Sequence, residues 1–180
     1  MFRARGFTLP EVLIVAAIIG IGASALIPNL SSNDATALSV AASETGNALR
    51  LARSEAVRSG RSVLLDAGSA PGRIKLFYAD CSAPGTYAAV ADPITRRGAD
   101  VALTDSNFSS GVQVVPEFKV GAGTYSGVVF EPSGAAAQAC EIATMTRKGA
   151  PAAGSGIAVR IAGSSVLVAV DAATGRVTWP

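Results

Sequence analysis

Glu11 is the residue whose surroundings make its chemistry costly. Behind it, Val12 to Ile27 supplies sixteen residues without a charge, with only Gly20, Gly22 and Ser24 among the apolar side chains. A carboxylate at the edge of such a segment costs a few kcal/mol unless it is paired. Ahead of it stand Arg3 and Arg5, and no acidic residue precedes it. With Phe7, Leu9 and Leu30 the apolar stretch reaches the length of a bilayer-crossing helix. A basic leader before an apolar segment marks export, with the basic end held in the cytoplasm. The residues alone leave two settings for Glu11: the lipid headgroup level of a signal anchor, or a pairing with a positive group. Ala16, Gly20 and Ser24 recur every four residues, a small-residue stripe along which helices can approach closely.

Other chemistry is scarce. The chain has no His, which excludes His triads, His metal clusters and imidazole acid–base catalysis. Two Cys alone do not make a four-ligand zinc site. GxSxG, P-loop, SxxK and HExxH motifs are missing. Gly121-Ala122-Gly123 runs into Thr-Tyr-Ser and opens no helix, so it reads as a turn. Asp66, Asp80 and Asp105 read as solvated loop carboxylates. The expectation is a protein without catalysis, cofactor or metal. Apolar residues at 49% and charged residues at 16% exclude a disordered chain.

The elements that must position these residues follow from periodicity. Pro28 and the cluster Ser31-Ser32-Asn33-Asp34 interrupt the apolar segment, with Asp34 placed to cap a second helix. From Ala35 to about Arg58 the spacing is helical, with Leu38, Thr45, Leu49, Ala52 and Ala56 on one face. Arg50, Arg58 and Arg61 gather on the opposite, solvated side, Arg53 flanks the apolar face, and Gly60 is placed to end the helix. The Arg face is either plain solvated surface or a contact with acidic neighbours.

Beyond it, strands are expected over 62–66, 73–78, 101–104, 112–120, 128–131, 157–162 and 166–170. Ala162-Gly163-Ser164-Ser165 turns the last two into a hairpin, and a short final strand runs to Trp179. The fold class is α+β, with antiparallel sheets packed on the amphipathic helix in a domain of roughly 145 residues. Cys81 and Cys140 lie outside the apolar segment of an exported chain, where they form an 81–140 bridge or remain free thiols. A bridge would be structural, since neither Cys has a CxxC partner or a His.

The run Arg5-Gly6-Phe7-Thr8-Leu9-Pro10-Glu11 resembles the leader of type IV prepilins and pseudopilins. That resemblance implies cleavage between Gly6 and Phe7 by the prepilin peptidase, which also N-methylates Phe7. It implies too that Glu11 meets the N-terminal ammonium of the neighbouring subunit in a filament. Pro10 replaces the usual aliphatic residue but sits in the first helical turn, where a missing N–H costs little.

A second resemblance, to the GspH/FimT family of minor pseudopilins and minor pilins, rests on four segments. These are Arg53-Ser54-Glu55-Ala56, Phe130-Glu131-Pro132-Ser133-Gly134, Val166–Val170 and Gly175-Arg176-Val177. It implies a leader at 1–6, a transmembrane and filament-core helix at 7–30, and a pilin-like domain at 31–180, helical to about 59 and then β. The long helix, half transmembrane and half amphipathic, packs on antiparallel sheets. The partners implied are other pilins, the processing enzyme and, before assembly, the inner membrane, with the globular domain outside the cytoplasm. Some members of the family bind DNA in natural transformation through a C-terminal G-R-x-R. Here Arg176 is retained, and Thr178 stands in place of the second Arg. An alternative role in DNA binding would therefore use a local patch of Arg147, Lys148, Arg160 and Arg176, with Tyr125 or Trp179 stacking. Without Arg3 and Arg5 the chain has 13 basic and 13 acidic side chains, no general surplus for a phosphate backbone.

Overall fold

The structure, a computed structural model, describes residues 9–30, 33–103 and 111–180, with side chains described for these except at 20–33, 136 and 137. The chain divides into two compact units, Met1–Asp34 and Ala35–Pro180. In the first, α1 (Leu9–Leu30) is apolar on all sides, as its sequence dictates. Among the described residues no helix is long and apolar enough to cross a membrane. The described side chains of α1 end at Ile19, so the expected span, residues 7–30, reaches beyond them in both directions.

The second helix, α2 (Asn33–Ser59), starts one residue before Asp34, so that Asp34 lies in its first turn, where a carboxylate suits the positive end of the helix dipole. Gly60, at φ +65°, takes the left-handed conformation that stops it. Its buried face is narrow and mostly alanine: Ala37, Ala41, Ala42, Ala48, Ala52 and Ala56, with Leu38 and Leu49. Small side chains let the backbone of α2 approach the strands closely. The buried Thr45 hydroxyl donates to the carbonyl of Ala41 at 2.8 Å, which satisfies it locally.

All strand pairing is antiparallel. The first sheet contains β1 (Val63–Asp66), β2 (Arg73–Phe77), β3 (Asp100–Ala102), β6 (Gly127–Phe130), β7 (Ala136–Glu141) and β8 (Thr146–Gly149), in the order β3-β2-β1-β6-β7-β8. The second contains β4 (Gln113–Val120), β5 (Gly123–Tyr125), β9 (Gly156–Ile161), β10 (Ser164–Val170) and β11 (Val177–Thr178), in the order β11-β10-β9-β4-β5.

Alternation along β1 and β6 sends their side chains to two cores. Val63, Leu65, Val128 and Phe130 join α2 and the second sheet in the main core. Leu64 and Val129 face a smaller cluster with Ala79, Cys81 and Cys140, flanked by Phe77, Tyr87, Ile142 and Met145. Both faces of these strands are thus covered, which explains their unbroken apolar runs. The Cys81–Cys140 disulfide lies in the smaller cluster and ties the segment after β2 to β7.

The α+β architecture matches the reading of the residues, and the seven expected strands and the short final one are present with ends shifted by a residue or two. The hairpin joining β9 and β10 turns through Ala162 and Gly163, at φ +46° and +85°. Three strands were absent from that reading: β5, β7 and β8. Asp105 lies outside the described residues.

Candidate functional site

Two regions gather the residues singled out above. The first is the start of α1, where Glu11 occupies the first turn with its side chain exposed. Around it the large apolar side chains point outward: Leu9, Val12, Leu13, Ile14, Val15, Ile18 and Ile19 are all exposed, Leu9 at 77%. An unbroken apolar surface of this kind calls for contact with lipid or with other apolar helices. Gly6 and Phe7, with Arg3 and Arg5, lie outside the described residues.

The second region brings together three segments far apart in sequence. Gly175 is buried at φ +64°, and a Cβ there would collide with the carbonyl oxygen of Gly134, itself at φ +82°. Both glycines are required, for backbone conformation and for close approach. Arg53 of α2 reaches the junction and donates from Nε to that same Gly134 carbonyl at 2.8 Å. The Arg-Ser-Glu-Ala segment, the Phe-Glu-Pro-Ser-Gly turn and the Gly-Arg-Val turn therefore meet at one point. The turn from Asp171 to Arg176 is tied by its own bonds: Gly175 N–H to the Asp171 carbonyl at 2.7 Å, and Thr174 N–H and hydroxyl to the Asp171 carboxylate at 2.8 and 2.7 Å. These bonds, the Thr174 hydroxyl foremost, hold the Asp171 carboxyl below its ordinary range.

Beside this junction lies a groove of about 600 Å³, lined by Arg50, Arg53, Val57, Arg58, Arg176 and Val177 with Ser54 and Gly175. Four arginines and two valines make up most of its lining. Arg50 and Arg53 are braced by partners distant in sequence, Arg58 by one three residues away. The Arg50 guanidinium lies 4.3 Å from the ring centre of Trp179, which packs against the main core and over Gly46 of α2; a Cβ at Gly46 would strike the indole. Arg58 makes a two-bond pair with the buried Glu55 at 2.7 and 2.8 Å, and the Tyr78 hydroxyl donates to the same carboxylate. Arg61 covers the Tyr78 ring at 4.4 Å. The Arg58 guanidinium first, and then the Tyr78 hydroxyl, hold the Glu55 carboxyl below its ordinary value against the opposing effect of burial, while Glu55 pushes the Tyr78 phenol up. Arg50, Arg58 and Arg61 are therefore not a plain solvated face, because each is engaged by a neighbour.

Arg147 and Lys148 stand on β8, Arg160 on β9 and Arg176 in the C-terminal turn, each among its own neighbours. Arg160, on β9, pairs with Glu117 of β4 at 2.8 Å. Arg147, on β8, donates to the Asp80 carbonyl at 2.6 Å and faces the Asp80 carboxylate at 3.5 Å. Lys148 pairs with Glu141 at 2.7 Å, above the Tyr125 ring. Glu141 raises the Lys148 ammonium and is itself lowered by it. Asp80 is thus a partner of Arg147, and Asp66 is buried and accepts from the Gly68 and Ser69 N–H groups at 2.9 and 3.0 Å; neither is a solvated loop carboxylate of the expected kind. Tyr125 and Trp179 are already in contact with cations. Arg176 alone of the four joins the groove, and among the described residues it has no carboxylate partner. The spacing of α2 points to its arginines but not to their company in the groove, Gly134, Gly175 and Trp179, which is set only by the tertiary fold. Among the described residues no three His, Cys, Asp or Glu side chains could hold a metal ion.

Comparison with known proteins bears on both regions. The family model described as type II transport protein GspH matches residues 41–166. The prokaryotic N-terminal methylation motif matches residues 1–27. Two crystal structures of the type IV minor pilin FimU of Pseudomonas aeruginosa, strain PAO1, are similar at 17% identity over 79% of this chain. One covers 87% of that chain with a TM-score of 0.47, the other 92% with 0.46. No curated protein matches the chain significantly.

Proposed function

This chain belongs to the type II transport protein GspH family and carries the N-terminal methylation motif of pilin-like proteins, which makes it a minor pilin or pseudopilin; from that premise we propose how it is processed and assembled. The peptidase cuts between Gly6 and Phe7, on the cytoplasmic side of the apolar segment, and Phe7 becomes the methylated first residue. Residues 7–30 hold the subunit in the inner membrane and then enter the core of a type IV pilus or type II secretion pseudopilus. The domain at 31–180 stands outside the cytoplasm. The observation that carries this reading is the methylation motif lying directly on α1, whose described large apolar side chains, from Leu9 to Ile19, are exposed.

Glu11 then has a physical role. Cleavage creates an ammonium on Phe7, and a carboxylate in the first turn of an apolar helix is stabilised by pairing with that charge on the next subunit. The subunit is structural, and the peptide-bond cleavage belongs to the processing enzyme. The test is co-expression with a prepilin peptidase and a filament system. Mass spectrometry of the mature N-terminus is expected to give methylated Phe7. Glu11→Ala is expected to be cleaved normally but recovered in filaments at about a tenth of the wild-type amount or less. A cut elsewhere, or normal recovery of Glu11→Ala, overturns the reading.

A further inference from the structure

We propose that the groove between α2 and the C-terminal turn is a docking site for an acidic segment of another polypeptide, one that carries an apolar side chain beside its carboxylates. The groove lies within Ala35–Pro180, so this goes beyond the processing and assembly of the N-terminal segment and does not depend on it.

Charge and shape define the occupant. Four guanidiniums, of Arg50, Arg53, Arg58 and Arg176, line the groove, and among the described residues the only carboxylate paired with them is Glu55, with Arg58. Three positive charges are left to answer from outside. Arg53 keeps its terminal nitrogens for a ligand, because the Gly134 carbonyl takes only its Nε. Arg50 is held by stacking and Arg176 by a turn closed on Asp171, so both are ordered before a ligand arrives and lose little entropy in binding. Guanidiniums so placed can accept carboxylates with two parallel bonds. Between them Val57, half exposed at 53%, and Val177 offer an apolar floor that a carboxylate alone would leave wet.

A polypeptide suits this groove better than duplex DNA. A phosphate backbone requires a long row of unpaired cations, and its binding scales with the number of phosphates neutralised. The other candidate cations, Arg147, Lys148 and Arg160, are each spent on a carboxylate of this chain. The groove, of about 600 Å³, has room for a few side chains and not for a run of duplex.

The experiment titrates the full chain, in a neutral detergent, with a short fluorescent peptide of glutamate and leucine and follows its anisotropy at low salt. Saturable binding is expected, weakened about tenfold or more by Arg176→Glu and by Val57→Asp, with both variants melting as the wild type does. Arg160→Glu, away from the groove, is expected to leave affinity within about twofold. A peptide with serine for leucine should bind more weakly, and one with lysine for glutamate not at all. The proposal is overturned if the glutamate–leucine peptide does not bind, if Arg176→Glu leaves its affinity unchanged, or if duplex DNA displaces it at lower concentration through the same arginines. N-terminal processing, read separately by mass spectrometry, is unaffected by any of these outcomes.

Discussion

The two helices of this chain place their side chains in opposite ways. Along α1 the exposed residues are large and apolar, Val12, Leu13, Ile14, Val15, Ile18 and Ile19 among them. Along α2 the buried face is mostly alanine, and the outer face carries arginines, three of them held by Trp179, Gly134 and Glu55. One helix has apolar surface to offer to partners outside its own chain. The other is bound into the domain through close backbone packing and through polar contacts. The contrast teaches that a helix can be long and regular for two reasons, and that the size of its apolar residues tells which: bulk where the partner is external, small side chains where sheets press closely.

Breaking the domain without touching α1 should produce the largest loss. Replacing Cys81 and Cys140 with serine frees a long loop, and a chain-entropy argument puts the cost at about 4 kcal/mol, read as a lower denaturation midpoint for the domain. A matched pair of truncations sharpens the contrast directly. Leu49→Ala in the buried face of α2 is expected to cost about 3 kcal/mol, whereas Ile14→Ala in α1 should leave the denaturation of the domain unchanged. A large loss from Ile14→Ala would dissolve the distinction between the helices. Gly175→Ala should cost about 2 kcal/mol, since it combines a left-handed backbone with a collision against Gly134; a neutral result would mean that the junction with Arg53 yields freely.

The smallest effect is one of pH. Because Glu55 lies below its ordinary 4.5 in the folded chain, its contribution to stability is full above that value. It fades as the pH falls from there through the lowered value. Acid titration of the wild type should therefore show a loss of stability in that range that is reduced in Glu55→Gln. Identical acid profiles for the two would mean that Glu55 does not tie α2 to Tyr78.

Much of this fold was legible because the cores demand it. The apolar runs of β1, β6, β9 and β10 and the alanine–leucine face of α2 could be read from spacing, as could the stop at Gly60. What escaped was structure imposed from outside the segment. β7, Ala-Ala-Gln-Ala-Cys-Glu, has the composition of a helix and becomes a strand by pairing with β6 and β8. β8 is short and basic, and β5 has three residues, so neither carries a periodicity. In the candidate groove Arg176 is visible by motif, while the spacing of α2 leaves Arg50 and Arg58 either solvated or in contact with acidic neighbours and sets Arg53 beside the apolar face, since Gly134 and Trp179 are distant in sequence. The i,i+3 pair of Glu55 and Arg58 was the one local signal that could have revealed that this face was engaged.

The seat of Trp179 on Gly46 also sets an order of events. The indole fills a notch in the first helix of the domain, yet it follows every described strand. A chain supplied in sequence order therefore offers that notch early and fills it only after the eleven described strands are available. Docking of Trp179 on α2 is then a contact between the two ends of the domain, one that a chain lacking β11 has no means to make.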